Sequence, residues 1–297
     1  MTKTRQFELL LLFTTMIWGM GFPLTQILIT NGFGPFTIMS GRFFIGSFVL
    51  VLIFYKRLRF MNKQTIYWGV ATGVLLFLGF AFQTVGIVYT TPSKNAMITQ
   101  MMVIMVPFII WFITKQRPNK HAFIGAAIAL LGGVILTANV NDFGVINLGD
   151  FLTFLCAVMV AAHVVLSATI SKKESIDTVN YTLIQFLFAA AVSMLLIPLE
   201  ATPIISINNI WPLVILGVLN TAWGFTIQTF AHRYSNASRT SVIVTTEAFF
   251  AAVFSILLGQ ELLTYQLVVG GSLLLGAVYY VTTKGQGYIQ DVVERFT

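Results

Sequence analysis

The chain has 297 residues, of which 57% are hydrophobic and 9% charged, and its mean hydropathy is +0.86. These values exclude a soluble globular domain and describe an all-α integral membrane protein. The net charge of +7 raises nucleic acid as a partner, and the distribution of that charge, taken up below, removes it again.

A hydrocarbon core about 30 Å thick needs roughly 20 apolar residues per helical span. Ten such runs occur, at 7–29, 36–55, 66–88, 94–114, 121–138, 149–170, 180–199, 211–230, 238–258 and 264–283. The first follows Lys3 and Arg5 as a secretory signal would, but it is too long for an h-region and no small-residue cleavage site follows, so it is read as a retained helix. It carries Trp18, a candidate cavity wall, and GMGFP at 19–23, the expected place for a broken helix, because Pro23 removes a backbone bond and two glycines loosen the turn before it. In the second run, Arg42 lies seven residues past Pro35, about 10 Å into its helix. It either snorkels to the headgroups or stands as a charge in the membrane.

In the third run Gly79, Gln83, Gly86 and Thr90 fall within about 40° of one another at 100° per residue. Small residues let helices approach, and a lone amide in hydrocarbon needs a partner, so Gln83 either joins helices or lines a cavity. Around the start of the fourth run, Tyr89, Asn95 and Gln100 are further candidates to contact a small molecule, and Pro107 is a milder kink, like Pro198 in the seventh run. Cys156, the single cysteine, excludes an intramolecular disulfide and a cysteine metal cluster and is read as packing. His163, with Ser167 one turn on, is weighed as a cavity residue against a packing histidine. The eighth run supplies Trp223 and Gln228, on a stripe of Gly224, Gln228, Ala231 and Ser235. Trp68 and Trp211, at span starts, read as interfacial anchors. In the ninth run Glu247 is the only carboxylate in the middle of a predicted span and shares a face with Asn236 and Thr240. Such a group must face a cavity, find a cation or take up a proton, which makes Glu247 the candidate for proton coupling.

Threading ten spans with the N-terminus inside puts fifteen of the seventeen Lys and Arg residues on the cytoplasmic side, with Lys94 outside and Arg42 within a span. That is the positive-inside bias, with both termini cytoplasmic, and no nucleic-acid patch is needed to explain the charge. The sequons at Asn180 and Asn236 then face the cytoplasm and are read as unglycosylated.

The stretch GFAFQT at 79–84 returns as GFTIQT at 224–229; Tyr89 is matched by Tyr234 and Asn95-Ala96 by Asn236-Ala237. The chain therefore divides into five-span units at 1–145 and 146–297, and because five is odd the second enters the membrane inverted. The four basic residues of the 56–63 loop against none at 200–210 agree. Inverted repeats are a signature of secondary transporters, whose substrate site lies near the midplane between the halves.

IWGMGFPLTQ at 17–26, Arg42-Phe43, YTTPSKNAMITQMMVIMVP at 89–107, Gly149-Asp150, Gln185-Phe186, EAFFAAVFSILLGQELLT at 247–264 and the Gly-rich last run together resemble the drug/metabolite transporter superfamily, specifically proteins built of two EamA domains. The resemblance covers nearly the whole chain. It implies ten helices in inverted five-helix halves, a central cavity, and export of small metabolites, amino acids or drugs. Two departures stand out: the family commonly has an acidic residue near the end of the fourth span, where this chain reads TKQRPNK, and Glu247-Ala248 stands where Glu-Pro is usual, leaving that span less prone to kink.

No HExxH, GxSxG or P-loop is present, and His121, His163 and His232 are scattered, so neither an enzyme, a cofactor nor a self-contained ATP-driven pump is expected. Short loops leave no output domain for a sensor. The expectation is a secondary active transporter, an exporter of small neutral or zwitterionic molecules, multi-pass in the bacterial inner or plasma membrane, with lipid and a small-molecule substrate as its partners. A passive facilitator or channel is the runner-up, although one carboxylate in one half makes no ring of charge for a filter.

Overall fold

An apolar run inside a bilayer must satisfy every backbone N–H and C=O within itself, and for an open segment only the helix does so. The computed structural model describes residues 3–115, 117, 120–137, 147–200, 207–234 and 237–284, and among them every regular element is helical. In chain order these are α1 (Lys3–Thr30), α2 (Pro35–Phe54), α3 (Lys63–Gly86), α4 (Pro92–Thr99), α5 (Met102–Thr114), α6 (Lys120–Thr137), α7 (Leu148–Ile170), α8 (Thr178–Leu196), α9 (Ile207–Ile215), α10 (Gly224–Tyr234), α11 (Ala237–Leu257) and α12 (Tyr265–Lys284). A π-helical segment, Leu216–Trp223, joins α9 to α10. Starts are written into the sequence: Pro35 and Pro92 occupy first-turn positions, and the side-chain oxygens of Asn62, Asn147 and Asp177 accept from the amides of Thr65, Asp150 and Asn180 at 2.8, 2.8 and 3.0 Å.

Among the described residues, seven helices are long and apolar enough to cross a membrane: Leu9–Thr30, Pro35–Phe60, Lys63–Gly86, Pro92–Phe112, Leu148–Ile170, Thr178–Leu199 and Ile210–Tyr234. The other three runs read from sequence appear as shorter apolar helices, Phe123–Ile135, Ile243–Leu257 and Tyr265–Ala277. Large apolar side chains such as Phe44, Phe48, Leu130, Val134 and Leu195 are exposed along the outside, as a lipid-facing surface requires.

The expected break at GMGFP is not there: α1 runs unbroken through Pro23. Side chains brace the helix on both sides of the proline, the Asn220 amide donating to Ile17 O (2.8 Å), Thr25 Oγ1 to Gly21 O (2.8 Å) and the Gln260 amide to Pro23 O (3.0 Å). The glycines serve close approach instead, Gly19 lying against Phe250 and Ala251 of α11. The broken span is the fourth. Gln100 and Met101 separate α4 from α5, and the amides of Met101, Val103 and Ile104 each bond three residues back. Pro107 explains the place, since it lacks the amide that would bond Val103 O and the turn before it tightens.

The helix contacts come in couples. α1 packs along α11 as α7 packs along α4 and α5; α3 packs on α7 as α10 and the π segment pack on α1; α3 packs on α8 as the π segment packs on α2; α2–α8 and α6–α12 are their own counterparts. Each couple exchanges when the first five predicted spans trade places with the last five. Directions fit helices that cross alternately: Thr15 meets Thr246 and Gly19 meets Phe250, so α1 and α11 run together, whereas Gly79 meets Val160 and Gly86 meets Thr153, so α3 and α7 run oppositely.

Charge separates the two ends of the bundle. At one end Arg57 pairs with Asp177 (3.1 Å), Asn62 Nδ2 donates to Ser175 O (2.7 Å) and Arg233 donates to Thr178 (3.1 Å), among Lys56, Arg59, Lys63, Lys172 and Lys173. Buried Asn180 donates to Arg57 O there (2.8 Å), so this sequon presents no free amide. At the other end Asp150 holds Thr90 (2.7 Å) and Lys94 (3.6 Å), Glu200 accepts from the amides of Phe36 and Thr37 (2.6 and 2.9 Å), and Glu261 accepts from that of Ser93 (2.8 Å).

Candidate functional site

The repeated GF-x-x-QT stretch positions the centre of the molecule. In α3, Gly79 and Gly86 admit α7 so closely that Val160, Thr153 and the carbonyl of Gly149 lie where a side chain would stand, and the intervening Gln83 turns inward. In α10, Gly224 admits the indole of Trp18, and Gln228 turns inward in the same way. Phe80 and Phe225, the equivalent residues of the two stretches, meet with ring centroids 5.7 Å apart.

Between them lies a cavity that is open on one side. α1, α2, α3 and the α4–α5 break line it from the first half, and α7, the π segment with α10, and α11 from the second. Its rings and alkyl groups come from Trp18, Phe22, Leu76, Phe80, Met102 and Phe225, and its polar groups from Thr25, Gln83, Gln100, Asn220, Gln228 and Glu247. Toward the end that carries Asp150, Lys94 and Glu200 it reaches Thr25 and Ile87, near the ends of α1 and α3. Toward the basic end a buried polar floor closes it: His163 Nε2 lies 2.6 Å from Gln185 Oε1, Ser167 joins His163 (3.3 Å) to the Tyr181 hydroxyl (3.0 Å), and Thr182 meets Thr229 (3.2 Å).

The π segment shapes one wall. Its wider turns send the Gly224 amide to Leu219 O and Thr221 O. The Asn220 carbonyl is thereby left to accept the Trp18 indole N–H at 2.7 Å, while the Asn220 amide holds α1. Thr221 Oγ1 donates to Leu216 O (2.8 Å) and accepts from Arg42 Nε (3.0 Å). Such π turns recur at functional sites because they free backbone groups in mid-helix.

Two formal charges face this space. Arg42 is buried at 6% exposure with its guanidinium 4.5 Å from the Phe80 ring centroid, so it does not snorkel. Glu247 Oε2 accepts from Gln100 Nε2 at 3.0 Å. The two make no ion pair within 4.0 Å of each other. Among the described residues the terminal nitrogens of Arg42 and the second oxygen of Glu247 have no protein partner. The same holds for the Gln228 amide, and among the described residues no group of three or more His, Cys, Asp or Glu could hold a metal ion.

Of the residues singled out from sequence, Trp18, Arg42, Gln83, Gln100, His163, Gln228 and Glu247 line the cavity. Tyr89, Asn95 and Trp223 do not. Tyr89 is 53% exposed just past α3. Asn95 is fully buried, tying Gln83 O (3.1 Å) to Thr153 (2.9 Å). Trp223 lies outside, its indole donating to Thr14 at 3.2 Å. Gln83 makes only a long contact, 3.4 Å, to Thr99. Asn236 and the side chain of Thr240 lie outside the described residues. Sequence reasoning missed Asn220 and Thr221, a polar pair in the middle of an apolar run that was a readable signal; their counterparts, Leu75 and Leu76, hid it from a search by repeat. It also read Cys156 as packing alone, and the thiol sits in the cavity wall.

Residues 6–138 and 147–283 each match the EamA-like transporter family. A protein of Archaeoglobus fulgidus described as an uncharacterized transporter is 30% identical over 284 residues, 93% of this chain and 86% of its own length. An uncharacterized transporter of Clostridium kluyveri is 24% identical over 80% of this chain and 79% of its own. A solved crystal structure superposes with a TM-score of 0.69 over 94% of this chain and 97% of that one, at 19% identity, which speaks to the fold.

Proposed function

Because the chain belongs to the EamA-like transporter family, a family of multi-pass membrane transporters, we propose that it is a secondary active carrier that exports small neutral or zwitterionic metabolites, such as amino acids or drug-like molecules, by alternating access. The observation that carries the reading is the central cavity, walled by equivalent spans of both halves and sealed by a polar floor at the basic end. With the halves as inverted repeats and the basic end in the cytoplasm, the state described is closed inward, and rocking one half against the other would open the floor.

Glu247 is the proposed coupling group. An ion at this depth costs several kcal/mol unless water or a partner attends it. In a closed, dry cavity the carboxyl is cheapest with a proton; in an open one water or a cationic cargo group supports the anion. Arg42 from α2 and Cys156 and His163 from α7 are the other titratable groups facing the same space, beside the amide of Gln100 from the α4–α5 break. Proton entry would then displace cargo outward, an exchange at one carboxylate.

The test is transport by the full chain in proteoliposomes. A carrier saturates, and unlabelled substrate inside drives uptake of labelled substrate from outside. Linear uptake without such counterflow would make the protein a passive facilitator or channel.

A further inference from the structure

A buried arginine and a buried carboxylate in one cavity would ordinarily neutralise each other. Here each is held aside by its own neighbours. Arg42 gives Nε to Thr221 and lays its guanidinium on Phe80, while Glu247 takes the Gln100 amide on one oxygen. Both line the same cavity but make no ion pair within 4.0 Å. Into that shared space face two guanidinium nitrogens and one carboxylate oxygen left without protein partners. Attraction between unit charges at low dielectric is strong, so a ligand that carries both charges would engage both groups at once.

We infer that this cavity binds a small zwitterion at two poles, its anionic group on the terminal nitrogens of Arg42 and its cationic group on the second oxygen of Glu247, with an apolar remainder against the rings of Trp18, Phe22, Phe80 and Phe225. The substrate class follows from charge balance. A zwitterion leaves neither protein charge unpaired, whereas a plain amine abandons the guanidinium and a plain acid abandons the carboxylate. This deepens the carrier reading, since the bound zwitterion would be the cargo.

The test uses three matched probes on the purified full-length protein: phenylalanine, 2-phenylethylamine and 3-phenylpropanoate, with leucine, isopentylamine and 4-methylpentanoate as a second series. Apparent affinity is read from ligand-induced thermal shift. Losing one charge-assisted contact should weaken binding by roughly tenfold to a hundredfold, so in each series the zwitterion leads both analogues. Arg42→Gln should erase the lead over the amine and leave the amine itself bound as before; Glu247→Gln should erase the lead over the acid. The analogue series on the wild-type chain needs no variant to fold. Equal binding of an amine or an acid and its zwitterion, or no zwitterion bound at all, overturns the inference. Counterflow in proteoliposomes keeps the two readings apart: zwitterion-selective binding without counterflow supports the two-pole site and sinks the carrier, while counterflow of uncharged or singly charged compounds with no preference for zwitterions sinks the two-pole site and leaves the carrier standing.

Discussion

Replacing Gly19 by alanine tests whether the α1–α11 contact sets the geometry of the cavity. A methyl built there would lie 2.6 Å from Phe250 Cβ, 2.8 Å from the Ala251 nitrogen and 2.9 Å from the Glu247 carbonyl, where ordinary contact begins at 3.4 Å. Two of these three neighbours are backbone, so no rotamer relieves the clash and α11 must retreat by 3.4 − 2.6 = 0.8 Å. Overpacking of this kind costs about 1–3 kcal/mol, offset by about 1 kcal/mol of helix propensity that alanine gains over glycine. The net destabilisation, from near zero to about 2 kcal/mol, is a melting temperature lower by up to several degrees. Transport should fall further than stability, because the same retreat draws Glu247 away from Gln100, and a misplacement of about 1 Å can cost up to a hundredfold in rate. Gly276→Ala, with open space around it in α12, is the control. The assay pairs thermal melting of purified protein with counterflow; if Gly19→Ala matches Gly276→Ala in both, the reasoning about this contact is wrong.

Glu247→Gln keeps the shape and removes the titration, so it should abolish pH-gradient-driven transport and spare counterflow of any substrate that does not rely on the Glu247 charge; gradient-driven transport at wild-type rate would remove Glu247 as the coupling site. Gln83→Leu and Gln228→Leu should each depress transport far more than melting temperature, since neither amide has a short protein hydrogen bond; a large loss of stability with normal transport would make them packing groups. Single cysteines near residues 60, 117, 173 and 235 in a Cys156→Ala background should resist an impermeant maleimide applied to intact cells, and ready labelling at 56–63 would refute the inverted arrangement.

The spans were legible because hydrocarbon enforces them: runs of apolar residues and first-turn prolines at Pro35 and Pro92 leave the backbone little choice. Gln83 and Gln228 were legible as inward-facing because glycine stripes declare which face meets another helix. What failed was local. GMGFP looked like a break because sequence shows the bond Pro23 removes but not the amides of Asn220 and Gln260 that arrive from 203 and 237 residues away to brace the helix on Ile17 O and Pro23 O. The break at Gln100 and Met101 lies nearly two turns upstream of Pro107, and nothing in those two residues announces it. Tyr89 and Trp223 fell outside the cavity for a related reason: an aromatic ring suits a cavity wall and a lipid-facing surface equally well, and only the helix rotation distinguishes them. The sequence left Arg42 open between headgroup and interior, and the partner that holds it inside, Thr221, is presented by a π turn that no residue pattern foretold.

That π turn has a kinetic consequence. Its counterpart in the first half, α3, is a regular α-helix throughout. In a carrier whose two halves trade shapes to pass from one open state to the other, identical halves would give two states of equal free energy and a cycle that runs equally well both ways. Here one half bears an extra residue in its central turn and fastens Trp18 and Arg42 through it. Under the carrier reading proposed above, the two end states would then differ in energy before any gradient is applied, and half-saturation measured from the two faces of the membrane should be unequal in sealed, uniformly oriented vesicles.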